Sequence, residues 1–125
     1  MNEKILLFGF DSLTEVLAIA GVAKTFGAEL ISVARSDYHK SLAVLLGEEI
    51  EPRKMQQAYI GGAPGGRMLV LYGLDRKLDK LLSALQNVGV GSDCLKAAVT
   101  AQNRHWNPVT LYSELLREHN AMRRK

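Results

Sequence analysis

Two stretches of this chain read almost alike: Lys4-Ile-Leu-Leu-Phe-Gly-Phe-Asp11 and Arg67-Met-Leu-Val-Leu-Tyr-Gly-Leu-Asp75. Each is a short apolar run, a glycine that lets the chain turn sharply, and an aspartate where a helix would begin. The first helix is signalled by Ser12 and Glu15, which fit a capping box. Leu13, Val16, Leu17, Ala20 and Ala23 share one face, and Gly27 is the stop. After the second copy, Leu78, Leu81, Leu82, Leu85 and Val88 share a face and Gly89 ends it.

A further strand and helix follow in each half. Glu29–Ala34 and Cys94–Thr100 read as the strands. In the first half the second helix has Asp37 as its expected cap, Leu42, Leu45 and Leu46 as its apolar face, and Gly47 as its end. In the second half Asn107 is the expected cap and Pro108 stands at the first helical position, which proline favours. Leu111, Tyr112, Leu115 and Leu116 then point one way.

The expectation is an α/β fold: a duplicated strand–helix–strand–helix unit forming one sheet of four strands, with helices packed on it. Strands one and three are apolar on both alternating faces, which places them at the centre; Glu29, Ser32, Asp93 and Lys96 mark the other two as edges. Strands within a half should run parallel, by the usual crossover. The relative direction of the halves stays open. If helices covered only one sheet face, the other would be a homodimer interface.

The chain then reads as a single domain, 1–125, made of pseudo-repeats 1–47 and 67–120 joined by a linker, 48–66. Pro52 and the run Gly61-Gly-Ala-Pro-Gly-Gly66 break regular structure there; only Gln57–Ile60 would add a fifth, edge strand. The glycine run lacks the Gly-Lys-Ser/Thr ending of a phosphate loop and leads into a strand, so no helix N-terminus would meet a phosphate.

Composition narrows the function classes. At 125 residues and 47% hydrophobic, the chain can bury a core without metal or disulfide. Cys94 is alone, which leaves no internal disulfide and no thiolate zinc site. His39, His105 and His119 share no metal-ligand spacing, so neither a metal nor another cofactor is expected. No apolar run approaches a membrane span, and a reducing cytoplasm is the expected location. Net charge is +3, too small by itself to indicate a nucleic-acid partner. Residues 67–125 hold ten basic against five acidic side chains, ending Arg123-Arg124-Lys125, which reads as cations completing a helix dipole.

Ligands of parallel α/β sheets gather beyond the carboxyl ends of strands. Four loops qualify: Gly9–Ser12, Arg35–Asp37, Gly73–Arg76 and Thr100–Asn107. Asp11 and Asp75 read as helix caps that would repel phosphate. The loop Thr100-Ala-Gln-Asn-Arg-His-Trp-Asn107 gathers hydroxyl, amide, guanidinium, imidazole and indole groups ahead of a helix start that carries no acid. It is the candidate binding loop for a small anion or a protein partner: Thr100, Asn103, Arg104, His105 and Trp106, with Lys96 on the preceding strand. The bland alternatives are a turn closed by Asn103, a wedge formed by Trp106, and Lys96 as an edge lysine that discourages sheet pairing.

The residues Met68-Leu-Val-Leu-Tyr-Gly-Leu74, the leucine helix through Leu85, Leu95-Lys-Ala-Ala-Val-Thr100, Asn103, Trp106 and Leu115-Leu-Arg-Glu-His119 resemble a bacterial domain-of-unknown-function family, number 3783. The resemblance covers about residues 67–120. Its most specific part is Lys-Ala-x-Val-Thr followed by x-x-Asn-x-x-Trp, which Lys96–Trp106 fits. It implies a small bacterial protein and supplies no catalytic residues. The functional expectation is therefore a non-catalytic ligand-binding or interaction module using Thr100–Asn107. The alternative is a small enzyme acting on an anionic metabolite, with Lys96 or His105 as base.

Overall fold

A computed structural model of the chain describes residues 3–50, 59, 61–62, 65–91 and 93–123. The elements run β1 (Lys4–Phe8), α1 (Leu13–Thr25), β2 (Glu29–Ser32), α2 (Leu42–Leu45), β3 (Met68–Tyr72), α3 (Leu78–Asn87), β4 (Leu95–Ala98) and α4 (Pro108–Arg123). Single 3₁₀ turns occupy Arg35–Asp37, Asp75–Lys77 and Asn103–His105. The sheet order is β2-β1-β3-β4, so the two apolar strands are central as their composition demands. Within the linker, residues 51–58, 60, 63 and 64, which include Pro52 and most of the Gln57–Ile60 segment, lie outside the described residues, as do the terminal Arg124 and Lys125.

β1 pairs parallel with β2, and β3 with β4, while β1 and β3 are antiparallel. Their register is centred, with Leu6 opposite Val70 and Lys4 opposite Tyr72, so the two halves meet about an approximate two-fold through the sheet. This settles the direction that pattern left open, and it has a consequence for function. The carboxyl ends of β1 and β2 lie at one rim of the sheet, and those of β3 and β4 at the other. The four strand-end loops form two separate pairs.

Because side chains alternate along a strand, each central strand feeds both faces. Ile5, Leu7, Leu69 and Leu71 pack with Ile19, Val22, Leu81 and Leu85 of α1 and α3. Leu6, Phe8, Met68 and Val70 pack on the opposite side with Tyr38, Leu42, Leu46 and Leu111. Helices therefore cover both faces, and no bare sheet face is left among the described residues to require a homodimer.

Three local expectations need correction. The α1 helix is apolar nearly all round, so its periodicity misplaces the buried stripe. Ile19, Val22 and Ala23 are buried, whereas Leu13 and Leu17 are 71% and 62% exposed. Asp37 does not cap α2, because it is taken into a 3₁₀ turn; Ser41 caps instead, its hydroxyl accepting from Val44 N–H at 3.2 Å. Nor do Asp11 and Asp75 cap their helices. Ser12 caps α1, accepting from Glu15 N–H at 3.3 Å, and Asp75 opens a 3₁₀ turn ahead of α3. Both carboxylates are thereby released from the local role that chain position suggests. The Asn107 cap does form, accepting from Thr110 N–H at 2.9 Å with Pro108 as the first helical residue.

The end of the glycine run is held by packing. Gly9 has φ +78°, and a Cβ there would lie 2.8 Å from the Gly66 carbonyl oxygen. A Cβ on Gly66 would in turn meet the Tyr112 hydroxyl at 2.8 Å. Next to it, Arg67 bridges Glu15 of α1 and Asp93 ahead of β4 while its guanidinium lies 5.6 Å from the Phe10 ring centre. The Glu15 hydrogen bond holds the Arg67 guanidinium pKa above its ordinary range.

Candidate functional site

At the rim where β3 and β4 end, Thr100 leaves the sheet and the chain closes a tight turn. Asn103 Oδ1 accepts from Thr100 N–H at 2.8 Å, Thr100 Oγ1 accepts from Asn103 N–H at 3.0 Å, and Asn103 Nδ2 donates to the Ala98 carbonyl at 3.0 Å. Asn103 is buried, and these bonds occupy its amide, so it frames the loop. Trp106 is partly buried against the core of Leu6, Phe8 and Val70, and its carbonyl accepts from Leu42 N–H at 2.9 Å. That backbone bond ties the loop to α2. A shallow cleft of 340 Å³ beside α4 is lined in part by Trp106, Asn103 and Glu114.

Lys96 points elsewhere. Its ammonium donates to the carbonyls of Gly91 (2.5 Å) and Cys94 (3.1 Å), closing the turn into β4. His105 is 62% exposed, with Nδ1 4.0 Å from a Glu49 carboxylate oxygen. The sequence-selected residues thus divide. Asn103 and Trp106 hold the loop, Lys96 braces the strand before it, and Thr100, Arg104 and His105 remain at the surface of the rim.

Arg104 has partners the sequence did not suggest. Its Nη2 donates to Glu48 Oε1 at 3.2 Å, and the Tyr72 hydroxyl donates to the other oxygen of the same carboxylate. That bond pushes the Tyr72 phenol above its ordinary pKa. Arg104 Nε is buried without a hydrogen-bond partner among the described residues. Glu48, Tyr72, Thr100 and Arg104 border a cleft of 210 Å³. Separations of 56 residues between Arg104 and Glu48, and 24 between Tyr72 and Glu48, hide this grouping from any local pattern.

The opposite rim, where β1 and β2 end, holds a larger cleft of 490 Å³. Asp11, Arg35, Tyr38 and Gly66 line it together with the apolar Phe10 and Val33. Tyr38 is 3% exposed and packs edge-on to Phe8 at 5.7 Å. Burial raises the Tyr38 phenol above its ordinary pKa; the Gly9 backbone N–H opposes that, Asp11 adds to it and Arg35 again opposes it. Chain position did mark Arg35–Asp37 as a strand-end loop, but Tyr38 gave no signal beyond being one more apolar residue.

Among the described residues, no three of His, Cys, Asp and Glu converge in a way that would hold a metal ion. The free thiol of Cys94 is buried, which raises its pKa. Among the described residues, no helix is long and apolar enough to cross a membrane.

With the Lys96–Trp106 segment and its turn in view, the second half can be placed. Residues 67–122 match the family DUF3783, a domain of unknown function. The DUF3783 match therefore begins at Arg67, just ahead of β3, and runs through most of α4, taking in the whole Thr100–Asn107 loop. No curated protein matches the chain. Among solved structures, the chain is similar to a crystal structure of FG41 malonate semialdehyde decarboxylase inhibited by 3-bromopropiolate. That similarity covers 86% of this chain and 88% of the other, at 15% identity and a TM-score of 0.39.

Proposed function

We propose that the chain is a non-catalytic binding module whose DUF3783 half receives a small anionic ligand, a carboxylate or phosphate, between Arg104, Tyr72 and Thr100. One observation carries this reading. Arg104 and Tyr72 already converge on a carboxylate, that of Glu48, while Arg104 keeps a buried Nε–H without a partner. Glu48 then behaves as an internal occupant. A guanidinium offers five donors in a planar fork suited to carboxylate and phosphate, and only part of that fork is used. An incoming anion would take the Tyr72 hydroxyl and the Arg104 fork, with Thr100 beside them and Glu48 displaced.

The enzyme alternative has weaker support. A general base needs a free lone pair within reach of substrate. The Lys96 ammonium is engaged by two carbonyls, and His105 stands largely in solvent, outside any enclosed cleft that would hold a substrate against it.

Trp106 is the chain's single tryptophan and lies two residues from Arg104, so its fluorescence reports on the loop. Titration with acetate and with phosphate should give a saturable change. Glu48→Gln should tighten the response by removing the internal competitor, and Arg104→Gln should abolish it. A response that is absent in both the native protein and Glu48→Gln, or that survives Arg104→Gln, would overturn the proposal.

A further inference from the structure

The cleft at the other rim has a different chemistry. Asp11 and Arg35 come from the loops after β1 and β2, and both line it. They carry opposite charges, yet neither has an ion-pair partner among the described residues, and they do not pair with each other. The neighbouring cation, Arg67, is already engaged by Glu15 and Asp93. Asp11 is also free of the capping role, which Ser12 performs. The buried Tyr38 lines the same cleft, and both charges act electrostatically on its phenol, so all three groups share one small region.

We infer that this cleft binds a small zwitterion of the amino-acid type, its carboxylate on Arg35 and its ammonium on Asp11. A purely anionic ligand would meet Asp11 at close range and a cationic one would meet Arg35, so each would gain one attraction and suffer one repulsion. A molecule carrying both charges gains twice. Phe10 and Val33 supply an apolar wall for a side chain. The volume of 490 Å³ lies within the usual range of small-ligand sites, roughly 300–1,000 Å³. The cleft is built on close packing: Gly9 lies so near Gly66 that an added Cβ would meet its carbonyl oxygen at 2.8 Å, and Tyr38 packs against Phe8 and Tyr59. This site is independent of the anion cleft, since it uses none of the same residues and stands at the opposite rim.

Calorimetric titration tests it with glycine, L-serine and L-leucine, set against 4-methylpentanoate and isoamylamine, which are leucine without its ammonium and without its carboxylate. At least one zwitterion should bind saturably below about 10 mM, a weak but specific affinity. For the tightest of them, Arg35→Gln and Asp11→Asn should each weaken binding by about tenfold or more, the size of a lost charge-assisted contact. Both side chains are at the surface, so melting temperatures should hold, and Arg76→Gln in the other half should bind as the native chain does. If leucine binds, both truncated analogues should be at least about tenfold weaker. Absence of saturable binding by all three zwitterions overturns the inference. So does binding that either single-charge analogue matches, or that either variant retains in full.

Discussion

Replacing Asn103 with alanine separates a framing role from a ligand-contacting one. The substitution removes an acceptor from Thr100 N–H and a donor from the Ala98 carbonyl, while the backbone bond from Asn103 N–H to Thr100 Oγ1 can persist. Two neutral hydrogen bonds contribute about 0.5–1.5 kcal/mol each, and a buried group left unpaired costs more than the bond itself was worth. A loss of about 2–3 kcal/mol follows, a large fraction of the roughly 5–15 kcal/mol that holds a domain folded. Near the melting point, about 1 kcal/mol corresponds to about 3–6 °C for a chain of this size, so Tm should fall by about 6–18 °C. Urea denaturation is the better assay, since it separates stability from a change in exposed surface. The midpoint should drop while the slope stays constant. A loss below about 0.5 kcal/mol, the level of ordinary surface substitutions, would refute the framing role and return Asn103 to the ligand-contacting set.

Two further perturbations probe the frame. Gly9→Ala should destabilise more than Gly27→Ala, although both glycines have positive φ (+78° and +70°), because only at Gly9 does the added Cβ strike a backbone carbonyl, at 2.8 Å against 3.9 Å for a flexible glutamate end at Gly27. Left-handed backbone alone costs about 1–2 kcal/mol for alanine, so chemical denaturation should show Gly27→Ala near that value and Gly9→Ala beyond it; equal losses would count against the packed Gly66 contact. Tyr38 has a raised folded-state pKa, so the unfolded chain ionises first and stability is lost as pH climbs past the unfolded value of about 10. Tyr38→Phe should flatten that alkaline loss in denaturation curves measured from neutral to alkaline pH, whereas an unchanged pH profile would place the loss on other groups.

Much of the architecture was legible because it is written in local pattern. Ile5–Phe8 and Met68–Leu71 are apolar at every position, and only a strand covered on both faces tolerates that. Asn107 ahead of Pro108 named the start of α4, and the resemblance of the second half was read from the very residues that the DUF3783 match covers. What local pattern could not supply was anything decided across the two-fold. The antiparallel meeting of β1 with β3 depends on how two finished halves dock, and it divides the strand-end loops between opposite rims. The stripe on α1 failed for a related reason: with alanine, isoleucine, leucine and valine on most sides, the packing partner chooses the face. Asp37 was read as the α2 cap, and Asp11 as a cap beside the Ser12–Glu15 capping box, because capping is a short-range rule; Ser12, as that box required, and Ser41 take the caps.

The same limit governs the sites. Thr100 and Arg104 could be named because they cluster in sequence, but the carboxylate and phenol that complete their cleft come from Glu48 and Tyr72, each remote along the chain. Asn103 and Trp106 were conspicuous by type, and structurally they are the loop's hydrogen-bonded frame and its apolar anchor. Partly exposed ion pairs such as Arg104–Glu48 are worth little to stability, about 0–1 kcal/mol, so Glu48 can be displaced without endangering the fold.

The most direct test of the anion-binding account is an amide nitrogen–proton NMR titration of Glu48→Gln with acetate. The account predicts that the Tyr72, Thr100, Ala101 and Arg104 signals move together along one saturable curve, leaving the Gly9–Ser12 signals in place. Movement centred on the Gly9–Ser12 rim, or no saturable movement at all, would contradict it.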